Sequence, residues 1–360
     1  MSGRWMTTEP ATSVATARFE SIGVHLPATR VPTAALMAST RHRTGIELER
    51  LTGIHEHRVA AEGEDSYTLA VSAARDCLGR SQYDATELDM VIVTSISKYH
   101  DGMRQRLEPP LSLFVKEAIG ATNATSFDLS NACAGMLTGV FVLNDFIRRG
   151  AIRRGLVVSG ESISQLGRNA AKQVRSVLSR QLASLTLGDA GAAVIVDRAE
   201  PGDGGIDVAA FTTLAEHSRL CLAYPSRVGP GATMYTQARA IHRVAIDDSP
   251  GLVQEALGPS GLHLDDIDWF IPHQTSARAI RSGLKMLEER IGVVPRHTVV
   301  NVEEYGNTSS TTHFLALHRY LQEGKFSPGD RVLLLALASG LEIGVVVLTM
   351  DRLVNLSWAS

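Results

Sequence analysis

The stretch FDLSNACAGMLTG, Phe127 to Gly139, joins a short strand-like run to an apolar helix and places Cys133 at the start of that helix. A free cysteine is most often a small buried side chain of the core. A helix N-terminus, however, carries unpaired N–H groups and a partial positive charge, and both favour a thiolate. Ala134 and Gly135 leave room beside the thiol. The stretch therefore makes Cys133 a candidate nucleophile.

Strand-like and helix-like segments alternate on both sides of this stretch, which predicts an α/β protein. Short apolar or β-branched runs, typical of buried strands, occupy 89–95, 154–160, 191–198 and 268–274. Amphipathic helical patterns occupy 66–78, 110–120 and 276–290.

The chain also repeats itself. ATELDMVIVTS resembles LDDIDWFIPHQ, and Cys133 lies 17 residues before Gly150 just as Asn307 lies 17 residues before Gly324. Two such matches in the same order predict a duplicated βαβ-rich unit. The duplication would place Cys133 and Asn307 at equivalent helix starts and His273 at a strand end. We expect the three side chains to converge between the halves.

Composition limits the possible functions. The 360 residues include 35 basic and 38 acidic side chains, and a net charge of −3 gives no argument for nucleic-acid binding. Three cysteines cannot form a disulfide framework, which favours the cytoplasm. No apolar run reaches the ~18 residues of a membrane span. Residues 1–18 are expected to be a mobile extension, followed by an N-terminal half at 19–200 and a C-terminal half at 201–360.

Three further positions have both a structural and a chemical interpretation. His273, in IPHQTSAR, follows a predicted strand, and its imidazole is either structural or a base or hydrogen-bond donor. Ser276 can cap the helix that follows. Asn307, in EYGNTSS, is either a turn residue or the repeat partner of Cys133. Gly340, in ALASGLEIG, either makes a simple hairpin or presents a backbone N–H to an oxyanion.

Four motifs, NACAGM, PHQTSAR, YGNTSS and LTLGDAGAAVIV, resemble those of β-ketoacyl synthase III enzymes over residues 19–351. The resemblance implies a thiolase fold with five layers, αβαβα, and two duplicated βαβ-rich halves. It implies that Cys133 is acylated, that His273 and Asn307 complete the catalytic set, and that the N–H groups of Cys133 and Gly340 form an oxyanion hole. It further implies a homodimer without metal or cofactor, the phosphopantetheine arriving with the substrate.

Two departures from the synthase III pattern affect the predicted substrate. Glu47 occupies the place of a tryptophan that holds coenzyme A, and Leu51 precedes the Thr-Gly-Ile motif, which argues against priming with acetyl-CoA. Glu108 lies 25 residues before Cys133, as in the head-to-head condensing branch, which includes olefin-forming enzymes and α-pyrone antibiotic ketosynthases. In that branch the glutamate enters the neighbouring subunit's site as a base. The alternative is a solvated loop charge or a helix N-terminal acid.

The family carries an arginine that docks the acyl carrier five residues after the histidine, and Arg278 stands there. Lys285 lies on nearly the same helix face. Both are predicted to attract an acidic acyl carrier protein, or to meet acyl-CoA. The segment 167–181 adds basic residues that are either part of this patch or a solvated face: Arg168, Lys172, Arg175 and Arg180.

The predicted activity is a ketosynthase that loads an acyl chain on Cys133 and joins it to a second, possibly β-ketoacyl, thioester by a Claisen condensation. With Glu108 as base, no decarboxylation is required. The alternatives are a decarboxylating synthase III that uses malonyl thioesters, an acyltransferase to oxygen or nitrogen, and a non-catalytic partner subunit. The intact Cys133, His273 and Asn307 argue against the last.

Overall fold

A computed structural model of the chain describes residues 6–7, 16–101, 103–200, 202–356 and 358. Two mixed sheets and three two-stranded sheets contain the strands. In chain order these are β1 (Met6–Thr7), β2 (Ala17–His25), β3 (Thr29–Pro32), β4 (Glu56–Val59), β5 (Met90–Val93), β6 (Tyr99–His100), β7 (Arg104–Gln105), β8 (Thr125–Asp128), β9 (Arg154–Glu161), β10 (Ala190–Arg198), β11 (Ile206–Thr213), β12 (Cys221–Pro225), β13 (Ala232–Thr236), β14 (Trp269–Pro272), β15 (His297–Thr298), β16 (Arg331–Ala338) and β17 (Glu342–Thr349).

Helices alternate with these strands as the sequence predicted. They are α1 (Thr33–Ala38), α2 (Leu48–Thr52), α3 (Ser66–Arg80), α4 (Leu111–Ile119), α5 (Gly135–Arg148), α6 (Ser164–Ala171), α7 (Ala238–Leu257), α8 (Ala277–Ile291), α9 (Val302–Tyr305) and α10 (Thr312–Gln322). Short 3-10 turns lie at Ala85–Glu87, Ala132–Ala134, Leu182–Thr186, Ala215–Leu220, Gly258–Ser260, Leu264–Asp266, Ser309–Thr311 and Arg352–Asn355. Within the described ranges, none of the helices has the length and apolar character needed to cross a membrane.

The two sheets share one topology. The first has the order β2-β10-β9-β5-β8, and the second has the order β11-β17-β16-β14-β15, with β1 added beside β11. In each sheet the first two of these pairings are antiparallel and the last two are parallel. The duplication predicted from the sequence is therefore present in the order and direction of the strands.

The sheets and helices form five layers. Helices α3 and α4 cover the outer face of the first sheet, and α7 and α8 cover the outer face of the second. Helices α5 and α10 lie between the sheets, where Leu137, Val140, Phe314 and Leu317 belong to the central core. This is the predicted αβαβα order, and it buries the starts of α5 and α10 in the middle of the molecule.

Glycines allow α3 to lie directly on the first sheet. A Cβ atom at Gly160 would come within 2.0 Å of the Ser66 carbonyl oxygen, and one at Gly191 within 2.2 Å of the Leu69 carbonyl oxygen. Both contacts are far shorter than any atom pair tolerates, so the sheet and helix meet only because these residues lack a side chain.

The N-terminal boundary predicted at residue 18 is wrong. Ala17 and Arg18 belong to β2, and Met6–Thr7 pairs with β11; residues 1–5 and 8–15 lie outside the described residues. Arg18 is buried beside three carboxylates, with Nε 3.0 Å from Asp197, Nε 3.6 Å from Asp203 and Nη1 3.3 Å from Asp351. Asp351 lies just beyond β17, so this ion cluster connects the first long strand to the end of the last.

Replacing Arg18 by leucine should lower the free energy of unfolding by about 3–5 kcal/mol, because the buried carboxylates lose their cation. Urea unfolding followed by circular dichroism measures the change. Arg30→Leu is the control, since the Arg30–Glu56 pair is 60% exposed on the arginine side and should cost less than about 1 kcal/mol. Equal losses in the two variants would show that the buried cluster contributes no more than a surface pair.

Candidate active site

Cys133 lies in the 3-10 turn Ala132–Ala134, which ends where α5 begins at Gly135. The residue as a whole is partly exposed, but its thiol is enclosed by protein. The turn packs against β16 and β17 of the second sheet. The Cys133 Sγ atom is 3.3 Å from the Ser309 Oγ atom, so the nucleophile candidate of one half contacts the loop of the other.

The resting thiol is not activated. The pKa of Cys133 is raised to about 12, chiefly by burial and to a smaller extent by Cys221 and Glu161, while the hydrogen bond with Ser309 lowers it. Loss of hydration around the sulfur thus opposes the thiolate that the helix start was predicted to favour. The thiol must lose its proton as it reacts.

The repeat aligns differently from the spacing prediction. Ala132 and Ser309 each open a 3-10 turn with positive φ, 44° and 58°, and a long helix follows each turn directly. This pairs Cys133 with Ser310, not with Asn307. The offset arises because α5 has 14 residues and α10 has 11, so counting back from the glycine that ends each helix shifts the match by about one turn.

Asn307 nevertheless belongs to the site. Its Oδ1 atom accepts a hydrogen bond of 2.9 Å from the Ser309 N–H, and its backbone is held by Thr186 and Gly188 at 2.8 and 3.0 Å. Among the described residues its amide nitrogen has no acceptor. The Asn307 side chain is thus fixed through its oxygen, and its two N–H donors remain for a substrate carbonyl.

His273 follows β14 and is 5% exposed. Its ring centroid lies 5.8 Å from that of His313, and its Nδ1 atom has no partner in the described structure. Burial, together with His313, lowers the pKa of His273 to about 3. His273 is therefore a neutral imidazole at neutral pH, and its unpartnered Nδ1 atom can form a hydrogen bond with a bound group.

Gly340 lies in the turn between β16 and β17, with φ at 145°. Leu341 exchanges two backbone hydrogen bonds with Leu214, which fix the turn. Within the described ranges the Gly340 N–H has no acceptor. The turn thus offers a free N–H donor beside the two strands on which the Cys133 turn packs, as an oxyanion hole requires.

Glu108 is not part of this cluster in a single chain. It is exposed, in the loop between the β6–β7 hairpin and α4. Asp128 fixes the end of that loop: it accepts hydrogen bonds from the N–H groups of Leu111 and Ser112 at 3.2 and 2.8 Å and pairs with Lys98 at 2.8 Å. Asp128 is the last residue of β8, which is the edge strand of the first sheet and leads to the turn of Cys133. The end of the Glu108 loop is therefore held at the same sheet edge from which the Cys133 turn begins.

The two predicted docking residues lie on α8, which Ser276 caps as predicted. Lys285 pairs with Glu289 at 3.7 Å, whereas Arg278 forms no ion pair with a described residue. Arg278 borders a surface cleft of about 690 Å³, whose lining comprises Thr33, Ala34, Met37, Ile46, Glu47, Leu48, Glu49, Arg50, Gly53, His55, Arg278, Arg281 and Glu303.

Sequence reasoning missed four residues of the site: Ser309, His313, Glu161 and Cys221. Glu161 is fully buried at the end of β9, where it accepts 2.7 Å and 3.1 Å hydrogen bonds from the Ser310 and Ser97 hydroxyls. A charged residue closing the apolar run RGLVVSGE was a usable signal. A histidine inside the apolar helix α10 was another.

The fold and this site define a class: an acyl-transferring condensing enzyme with the thiolase fold. A family model described as 3-oxoacyl-[acyl-carrier-protein (ACP)] synthase III matches residues 127–214, and its C-terminal counterpart matches residues 257–350. The β-ketoacyl-[acyl-carrier-protein] synthase III of Deinococcus deserti is 31% identical over 300 residues, 82% of this chain and 80% of that protein. The chain belongs to the β-ketoacyl-[acyl-carrier-protein] synthase III family.

Solved structures agree on the fold. The priming β-ketosynthase of the R1128 polyketide biosynthetic pathway is 27% identical, with a TM-score of 0.77 over 95% of this chain and 98% of that one. OleA of Xanthomonas campestris, solved as a variant at one glutamate, is 22% identical, with a TM-score of 0.81 over 93% of this chain and 98% of that one. At that identity the likeness to OleA shows the fold alone.

Replacing His273 by asparagine should flatten the pH dependence of stability. The unfolded chain gains a proton on this histidine near pH 6.5, which the folded chain does not gain until about pH 3. The group's contribution to the free energy of unfolding is therefore lost as the pH falls through that window. Between pH 7 and pH 4 the variant should lose about 3 kcal/mol less than the wild type in urea unfolding.

The control for this experiment is His297→Asn, a change at an exposed histidine, which should follow the wild-type curve. If His273→Asn and wild type lose stability in parallel, His273 is not held neutral by the fold.

Proposed function

We propose that this enzyme transfers an acyl chain from a thioester to Cys133 and joins it to a second acyl thioester by a Claisen condensation without decarboxylation. The observation that carries the proposal is the meeting of the two halves: the Cys133 thiol contacts the turn that holds Asn307, and a neutral His273 lies beside that turn's helix. The product would belong to polyketide, α-pyrone or lipid biosynthesis.

Acylation requires a proton to move. The Cys133 sulfur attacks the thioester carbonyl carbon, the bond to the carrier sulfur breaks, and the thiol proton passes by way of His273 to the departing carrier thiolate. The tetrahedral oxygen receives hydrogen bonds from the N–H groups of Cys133 and Gly340. Because thiol and imidazole are both neutral at rest, the charge appears only in the reacting state, where these donors stabilise it.

Condensation requires a carbanion. A donor without a malonyl carboxylate must lose an α-proton, and a nearby carboxylate can accept it. We assign this role to Glu108 of a second copy of the chain. The new enolate would be held by the Asn307 amide and by His273, and its α-carbon would attack the acyl carbon on Cys133. The Cys133 sulfur then leaves and regains a proton.

The surroundings of Glu108 favour a second copy. Leu107 is 77% exposed, and Leu113 and Ile96 are also exposed, on α4 and after β5 respectively. Exposed large apolar side chains are typical of an interface, and these three belong to segments that precede and follow Glu108 in the chain. A homodimer that covers them would carry Glu108 into the neighbouring site.

A carrier presents the acyl groups by way of its phosphopantetheine arm, so the enzyme itself requires no cofactor. Arg278 is the docking residue the structure favours, because it borders the cleft and is not neutralised by a neighbouring carboxylate. Lys285 would add a weaker attraction, since Glu289 competes for it. The free thiols of Cys77, Cys133 and Cys221 suit a reducing cytoplasm.

A second candidate function is decarboxylative condensation with malonyl-carrier thioester. The names of the relatives favour it, because the curated relatives from Deinococcus deserti and Bradyrhizobium diazoefficiens are β-ketoacyl-[acyl-carrier-protein] synthases III. The two candidates differ in one product: the decarboxylating enzyme releases one CO2 per condensation, and the proposed one releases none.

Replacing Glu108 by alanine should leave acylation of Cys133 intact but lower the condensation rate at least about 100-fold, since a general base is lost. Intact-mass spectrometry measures acylation, and product chromatography with CO2 trapping measures condensation. Glu117→Ala, a change at an exposed glutamate of α4, is the control and should condense normally. Full condensation by Glu108→Ala, or CO2 release matching product, would contradict the proposal.

Mixed dimers test whether Glu108 acts across the interface. Co-expressed Cys133→Ala and Glu108→Ala chains should form dimers with one complete site, because the intact cysteine of one chain faces the intact glutamate of the other. Activity should reappear although each variant alone is inactive. If Glu108 serves its own chain, every site carries one defect and the mixture stays inactive.

Replacing Arg278 by alanine should raise KM for an acyl-carrier-protein thioester about threefold to tenfold, because a surface charge contact contributes about 1 kcal/mol. The KM for a small N-acetylcysteamine thioester should stay the same. Arg290→Ala, whose native side chain pairs with Asp247, is the control on the same helix. An equal rise in KM for both thioesters would show that Arg278 shapes the site and does not dock the carrier.

A further inference from the structure

Ser309 holds a backbone conformation that its side chain disfavours. Its φ of 58° lies in the left-handed region, where residues other than glycine are uncommon because the Cβ atom crowds the backbone. The residue is buried at 4% exposure. A buried residue keeps such a conformation only when the contacts around it fix it there.

Two of those contacts join the reactive groups of the two halves. The Ser309 N–H donates to Asn307 Oδ1 at 2.9 Å, and the Ser309 hydroxyl lies 3.3 Å from the Cys133 thiol. The first bond fixes the orientation of the Asn307 side-chain amide: its oxygen faces the Ser309 N–H, and its NH2 group points the other way. The second makes Ser309 the nearest polar partner of the nucleophile among the described residues.

The other hydroxyls of this turn have different partners. The Ser310 hydroxyl donates to the buried Glu161 at 2.7 Å, and the Thr311 hydroxyl donates to the Thr308 carbonyl at 2.8 Å. These bonds fix the backbone of the turn, and the Ser309 hydroxyl is the one that contacts the Cys133 thiol. The arrangement therefore separates one hydroxyl that meets the sulfur from two that hold the backbone.

We propose that Ser309 is a positioning residue that couples the nucleophile to the amide: its hydroxyl donates a hydrogen bond to the sulfur of Cys133 as the thiol loses its proton, and its N–H orients Asn307. This role rests on the proposed function of Cys133 as the acyl acceptor. Ser309 forms no covalent bond and keeps its own proton throughout. The thiol proton passes to His273, and the Ser309 hydroxyl donates its hydrogen bond to the sulfur anion that remains.

The test uses three variants in the full-length protein. Ser309→Gly removes the hydroxyl, keeps the N–H and suits the positive φ, so its melting temperature should stay the same or rise. Ser309→Ala removes the hydroxyl and keeps the unfavourable conformation. Thr311→Val removes a hydroxyl of the same turn that does not touch the thiol.

The readout is the rate at which iodoacetamide alkylates Cys133 between pH 7 and pH 9, followed by peptide mass spectrometry. Both Ser309 variants should react about tenfold more slowly than the wild type, because a hydrogen bond to a charged group is lost. Thr311→Val should react at the wild-type rate. Unchanged alkylation in Ser309→Gly would overturn the proposal, and so would an equal loss in Thr311→Val.

Alkylation separates this proposal from the function on which it rests, because iodoacetamide needs no acyl donor. If the Ser309 variants alkylate slowly and no acyl thioester loads wild-type Cys133, the proposed function fails alone. If acyl loading occurs and alkylation is insensitive to Ser309, the positioning role fails alone.

Discussion

The structure depends on one constraint: two tight turns, Ala132–Ala134 and Ser309–Thr311, meet between two sheets. Buried hydroxyl and carboxyl groups are costly unless each finds a hydrogen-bond partner. Ser309 meets that requirement against the thiol of the other half, and Ser310 meets it against Glu161. The side chains of the candidate site are thus held together by hydrogen bonds between the two halves.

Duplication explains why two equivalent turns meet between the sheets, and sequence divergence explains why the two turns carry different side chains. The two halves share strand order and direction. In each half, a 3-10 turn that opens with a positive-φ residue leads directly into the helix between the sheets. In one half the turn places a sulfur, and in the other it places hydroxyls and an amide. The same backbone feature therefore carries a thiol in one half and hydrogen-bonding side chains in the other.

Strand and helix periodicity, which are local signals, predicted the alternation of elements, and the family resemblance of the motifs predicted the five layers. Of the predicted set Cys133, His273 and Asn307, hydrogen bonds through Ser309 connect the first and the last. The sequence did not predict the contacts of Ser309 and His313, because these depend on which turns the fold brings together. The N-terminal boundary failed for the same reason: Arg18 belongs to β2 because of carboxylates as distant as Asp351. The predicted pairing of Cys133 with Asn307 differs from the structural pairing because it was counted back from a glycine. That glycine marks the end of each helix but gives no information about the helix's length.

The pKa direction of Cys133 illustrates the limit most clearly. A helix start is visible in the sequence, whereas the amount of water around one sulfur atom is a property of the whole fold. Enclosure also has a chemical benefit between turnovers. Peroxide and related oxidants attack the thiolate, so a thiol that stays protonated is a poor target for conversion to sulfenic acid. The burial that keeps the Cys133 thiol protonated thus also protects it from oxidation.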